Sequence, residues 1–296
     1  MTWGLTMVTA AALAGCGSER PDPRAGEEPS ASVSTPNDQV IDPDETLVAS
    51  GMLMQRTADG PVELCVGGVA ESYPPQCGGP TLVGEIDWDT LTPERASGVT
   101  WSNGTVWAIG HFAPQTGKLG TFTLTQPLQQ KPPAGISLPS PGQAGFPQLC
   151  EDPYADGGSK RVSGPEVDTN ALSTLLPTLD GYVGSWVSDG STLFNVLVTG
   201  DAAAAHREIR TVWKGGLCVE QRDLPTEADI TAAQEALSTQ SREIGLLSTA
   251  GDSQGSLDAQ ATFVDAATRA RILEIVRPWL SPDQVRITSA IQPLTQ

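Results

Sequence analysis

The 296-residue chain is short of the side chains that most chemistry needs. It has two His and five Cys, three Tyr and five Phe, and 17 Lys and Arg against 35 Asp and Glu. So few imidazoles and thiols leave little for a metal centre or an activated nucleophile. A formal charge of −18 offers no basic surface to neutralise phosphates, which excludes nucleic acid as a partner. The same charge excludes electrostatic docking on anionic lipid. Long apolar runs are also missing, since the uncharged N-terminal stretch falls short of the about 20 residues a spanning helix needs. What the chain does have is turn formers, 31 Gly and 24 Pro, which point to short strands rather than long helices.

Residues 1–16 read MTWGLTMVTAAALAGC, uncharged and mostly apolar, closing on Leu13-Ala14-Gly15-Cys16. A stretch of this length reads as a cleaved signal over residues 1–15. The run Leu13 to Cys16 resembles the lipobox of bacterial lipoproteins, whose small residues let a peptidase groove approach the backbone. The resemblance implies that Cys16 takes a diacylglycerol and becomes the first residue of the mature chain. Acyl chains such as palmitate then anchor the protein at about 0.8 kcal/mol per buried CH₂. The implied location is the extracytoplasmic face of the cell membrane. No Lys or Arg precedes Arg20, whereas a signal of this kind ordinarily starts with a basic segment.

After Cys16 the chain is rich in Pro, Ser, Asp and Glu up to residue 46. Such a segment buries too little surface to offset its ordering entropy, so residues 16–46 read as a tether. Its random-coil reach is roughly 30 Å. Cysteine use agrees with an exported chain. Setting Cys16 aside leaves Cys65, Cys77, Cys150 and Cys218, an even number with no CxxC pair. Four cysteines allow three pairings. Proximity favours Cys65 with Cys77 and leaves Cys150 with Cys218, worth about 3 and 4 kcal/mol in the loop-entropy model.

The body divides by pattern. Residues 47–130 hold five or six short strands and no helix, the signature of a small antiparallel barrel or sandwich, OB-like in size. Within it VTWSNGTVWAI predicts a hairpin turning at Asn103-Gly104, with Trp101 across from Val106 and Thr100 across from Trp107. Residues 131–170 are a Pro- and Gly-rich connection. From 171 to 296 the order is β-α-β-α-β-β-α-β. Asp201, the Thr226–Asp229 capping box and Asp265 open the helices. Two split βαβ units in that order predict a ferredoxin-like α+β sandwich. The fold class is therefore α+β. Leu-Cys recurs at 64–65, 149–150 and 217–218 in differing surroundings, which makes no repeat. Taken with the lipobox and this α/β pattern, LCVGGVAESYPPQCGGP resembles a group of uncharacterised lipoproteins of high-GC Gram-positive bacteria. That likeness implies a location and no catalytic residue.

Each candidate for chemistry has an ordinary structural explanation. No SxxK pattern occurs. His111 follows a strand and His206 lies in a helix, where a hydrogen-bonded surface role suffices. His206-Arg207-Glu208 does not have zinc-protease spacing. Asp152 to Gly157 carries a partial DxxxDG calcium spacing beside Glu151, but Tyr154 takes a ligand position and Ser163 falls where an acid is needed. Trp101 and Trp107 fall on opposite faces of the expected hairpin, so at least one belongs to the core. No catalytic, cofactor or metal residue is therefore assigned. The reading is a non-catalytic, lipid-anchored module that binds an envelope protein or polymer. The alternative is a hydrolase using two carboxylates on an envelope polymer.

Overall fold

The computed structural model describes residues 40–115, 118–136, 146–162 and 167–294. Cys16, the signal and most of the tether therefore lie outside the described residues, as does Ser163. The fold is mixed α+β, mostly sheet. Strands β1 (Leu47–Gln55), β2 (Val62–Cys65), β3 (Thr81–Val83), β4 (Pro93–Ala96), β5 (Val99–Ser102), β6 (Val106–Gln115) and β7 (Lys118–Leu124) come first. Five of them close into a barrel. β1 pairs β2, β2 pairs β3, β3 pairs β7, β7 pairs β6, and β6 returns to β1. All these pairings are antiparallel except β3 with β7. Closure removes the free edges that a five-stranded sheet would otherwise present.

Alternation fills the interior. Leu47, Ala49 and Leu53 of β1 meet Leu64, Leu82, Val106, Ala108, Phe112 and Phe122 in one buried cluster. Phe263 and Ile291, from far along the chain, belong to the same cluster. The Phe263 ring lies 5.0 Å from that of Phe112. Val48, Trp107 and Ile109 point the other way and are covered by Ile136 and Leu294.

The expected hairpin at Asn103-Gly104 does not form. β5 and β6 both pair with β1, at Met54–Trp101 and at Gly51–Val106, and not with each other. The segment between them is a jog that slips the register by two residues. Its cause is Ser102, 1% exposed, whose hydroxyl accepts from the Leu53 N–H at 3.0 Å and donates to the Gly104 carbonyl at 2.9 Å. Asn-Gly suits a jog as well as a hairpin, because Gly104 takes φ +112°. A slip of two preserves the pleat. Trp101 and Trp107 therefore share the outer side of β1, opposite partners Met54 and Ser50, instead of opposite faces. Both are buried. A two-residue hairpin of this lobe lies at Ser97-Gly98, between β4 and β5. Its φ values of +51° and +83° suit a primed turn.

The second half runs α1 (Thr169–Leu175), β8 (Tyr182–Val187), β9 (Leu193–Val198), α2 (Ala202–Ile209), β10 (Gly216–Gln221), α3 (Glu227–Thr239), β11 (Leu246–Gly251), β12 (Leu257–Ala261), α4 (Ala266–Val276), β13 (Val285–Ser289). The caps expected from sequence are in place. Asp201 accepts from the N–H groups of Ala203 and Ala204, Asp265 from Thr268, and Thr226 with Asp229 closes a capping box. A ferredoxin-like sandwich would gather these strands into one sheet. They form two, β10-β9-β8 and β11-β12-β13. Each βαβ unit is parallel, and each gains its third strand from an antiparallel neighbour, β8 or β11.

The two halves are one arrangement repeated, α-β-β-α-β. Pairs Phe194–Leu217 and Val196–Val219 of the first sheet correspond to Leu257–Val285 and Ala259–Ile287 of the second. Both sets pack toward their own helices. Each β-hairpin turns on an aspartate, Asp189 or Asp252, whose carboxylate accepts N–H groups of the turn. Each turn also holds a left-handed glycine, Gly190 or Gly255. The outer faces differ. In the first unit Val183, Trp186 and Leu197 are apolar and need a cover, which Leu149 and Leu224 supply. The Trp186 indole donates to the Pro147 carbonyl at 2.8 Å, and the Leu149 N–H to the buried Asn195 side chain. In the second unit the position matching Asn195 is Asp258, and that matching Cys218 is Arg286. These two form an exposed ion pair at 2.8 Å. A solvated outer face is the usual state of such a sheet. A final strand, β14 (Gln292–Pro293), returns to pair with β1.

Candidate functional site

Disulfides join Cys65 to Cys77 and Cys150 to Cys218, with Cα separations of 5.7 and 5.4 Å. The first closes the loop after β2. The second fastens the covering segment to β10.

A hollow of about 630 Å³ opens on the barrel where the turn after β3 meets the segment after β7. Gly84 begins the turn at φ +143°, and a Cβ there would press within 2.9 Å of Leu124. Asp87 then caps a 3₁₀ turn, Trp88–Leu91, by accepting from the Asp89 N–H. Opposite, residues 124–130 run back along the barrel and bridge to Trp107 through Gln129, with N–H to carbonyl distances of 2.7 and 3.0 Å. The Gln130 amide ties the two walls by donating to the Thr90 carbonyl. Leu91, Leu124 and Leu128 give the groove apolar surface. Thr90, Thr125 and Gln126 add neutral hydrogen-bonding groups, and Glu85 and Asp87 add charge. Its ionisable lining groups, among the described residues, are the carboxylates of Glu85 and Asp87.

Sequence candidates elsewhere have structural work. His111 is exposed, its Nδ1 3.2 Å from the Glu45 carbonyl. His206 sits with Nδ1 4.0 Å from the Asp156 carboxylate. Burial lowers its pKa, Arg210 lowers it further, and Asp156 opposes both. The neutral imidazole thus dominates near pH 7. The would-be calcium loop is organised by Arg210. This guanidinium, 5% exposed, donates to the Pro153 and Ala155 carbonyls at 2.9 and 3.0 Å, and to Gly215 at 2.7 Å. Two of the loop's backbone oxygens therefore face a cation belonging to the chain. Among the described residues no three His, Cys, Asp or Glu are grouped to hold a metal.

Two carboxylates stand out by ionisation, and both move down. Burial pushes Asp189 up. The N–H groups of Leu193, Ser191 and Thr192, with the Thr192 hydroxyl, outweigh that and bring it to about 2. Asp283 is lowered by the Ser281 hydroxyl and its own N–H. A general acid needs the opposite shift. Both are turn or cap residues. The groove escaped the sequence reading because its walls lie some forty residues apart. The one signal was polar sequence, GEIDWD and TQPLQQ, at the ends of β3 and β7. Comparison of the chain with known families and with curated proteins returns no match.

Proposed function

We propose that the chain is a lipid-anchored, extracytoplasmic binding module that holds an envelope protein or polymer in the barrel groove. The barrel is read as OB-like. Its five-strand closure and lone parallel pair support this, and such barrels take extended polar chains across one side. The observation that carries the reading is the groove itself. It combines an apolar floor with converging hydroxyl and amide groups, the usual make-up of a binding site. Export is supported by two disulfides, which persist in oxidising surroundings. The lipobox ending at Cys16 supplies the anchor, and the tether lifts the body off the bilayer.

A Gln126→Trp variant fills the groove from an exposed position without touching the core. Intact cells carrying wild type and this variant are crosslinked, and the envelope components attached to the anchored chain are compared. Loss of a wild-type crosslink in Gln126→Trp supports the reading. Equal crosslinks, or cleavage of an envelope polymer by the purified protein, overturn it.

A further inference from the structure

The two α-β-β-α-β units differ in what lies on their outer faces. Strand pairing aligns Leu197 of the first unit with Gln260 of the second, and Trp186 with Ala250. The face that is polar in the second unit is apolar in the first, and residues 146–150 cross it as a strap. The strap packs on a layer separate from the unit's main core. Val183, Trp186 and Leu197 cluster with Leu149 and Leu224, whereas Leu172, Val196, Ile209 and Leu217 belong to the core under the helices.

Few attachments hold the strap. The Trp186 indole donates to the Pro147 carbonyl and the Leu149 N–H to Asn195 Oδ1, each at 2.8 Å. Leu149 is half-buried, while Phe146, Pro147 and Gln148 are exposed. Two hydrogen bonds and one leucine stand against the ordering entropy of five residues. The Cys150–Cys218 bond tips that balance by tethering one end of the strap. The chain beyond it is fixed independently. Arg210 holds the Pro153 and Ala155 carbonyls, and the Leu217 N–H donates to the same Pro153 carbonyl at 2.7 Å. Between the two anchorages lie the exposed residues Glu151 and Asp152, the hinge. Beneath the strap, Asn195 keeps a second tie, its amide donating to the Ser188 hydroxyl.

We propose that the Cys150–Cys218 bond is a redox-operated latch: a dithiol reductant frees residues 146–150 and uncovers Val183, Trp186 and Leu197 while the first unit stays folded. The reductant's thiolate attacks the sulfur of Cys150, the more exposed partner, since Cys218 is 1% exposed. The S–S electron pair leaves on Cys218, which takes up a proton. The second thiolate of the reductant then displaces the Cys150 sulfur, which is protonated in turn, and closes the reductant's own disulfide. The protein gains two electrons and two protons, and the dithiol loses them.

Chymotrypsin tests this on the full-length protein in detergent, because it cleaves after leucine and its cutting follows the open population. Oxidised protein, protein reduced with dithiothreitol, and a Cys150→Ser, Cys218→Ser double variant are compared. The double variant opens the latch with the Cys65–Cys77 bond intact. Cutting after Leu149 that is at least about tenfold faster in both opened forms, with no cut within β9, supports the proposal. Unchanged cutting after Leu149 overturns it, because the contacts alone then hold the strap. Simultaneous cuts within β9, a bond that resists dithiothreitol until the protein melts, or a double variant without a cooperative melting transition also overturn it, because the bond then maintains the fold of the unit. The barrel groove is untouched by these changes, so its reading stands or falls separately.

Discussion

Arg210 offers the sharpest test of the packing. Its guanidinium is buried at the end of α2 and reaches four backbone carbonyls, those of Pro153, Ala155, Gly215 and, at 3.4 Å, Trp213. Hydrogen bonds from a charged donor contribute about 1.5–3 kcal/mol each, and contributions within one network do not add fully. Arg210→Met keeps the apolar stem and removes every donor. Three close carbonyls then lose their partner, though the lowered pKa of Arg210, caused first by burial, shows that charge desolvation offsets part of the gain. The net cost is about 3–5 kcal/mol. For a body of this size that lowers Tm by roughly 10 °C. Arg210→Lys retains a cation with a single nitrogen in place of the fork, and falls between the two. Urea denaturation of the oxidised protein measures all three. A loss under about 0.5 kcal/mol for Arg210→Met would refute the argument that this residue holds the 152–156 loop to the first unit.

Further outcomes follow from other residues. Ser102→Ala leaves the Leu53 N–H without its acceptor and costs about 1–3 kcal/mol, read by denaturation; a neutral result would mean the jog is not held by that hydroxyl. Cys150→Ser releases a bridge spanning 68 residues, worth about 4 kcal/mol against about 3 for the 12-residue bridge of Cys65, and the melting order should follow. Asp189 has a folded pKa of about 2, below its ordinary 3.8, so its contribution is present above about pH 4 and fades as pH falls toward 2. Solvent exposure keeps it below about 1 kcal/mol. Asp189→Asn should flatten that part of the acid-stability curve.

Helices α2, α3 and α4 of the second half were legible because their signals are local. Asp201, Thr226 and Asp265 cap helices through hydrogen bonds within three residues, and alternation marks β12 and β13. The jog at 102–105 was not, since Asn-Gly serves either outcome and the choice rests on Ser102 reaching Leu53, 49 residues away. The repeated unit was hidden for a different reason. Corresponding positions share depth and facing but little chemistry, as with Val196 and Ala259 or Cys218 and Arg286. β8 was missed where Gly181 and Gly184 interrupt a short run. The groove and the seat of the strap both form between segments that meet after folding, so no contiguous motif announces them.

The intact mass of the protein extracted from cell membranes tests the central proposal most directly. The account predicts residues 16–296 carrying a diacylglyceryl group on Cys16, less the four hydrogens lost in closing two disulfides. A chain that retains Met1, or one recovered without lipid and with free thiols, would contradict it.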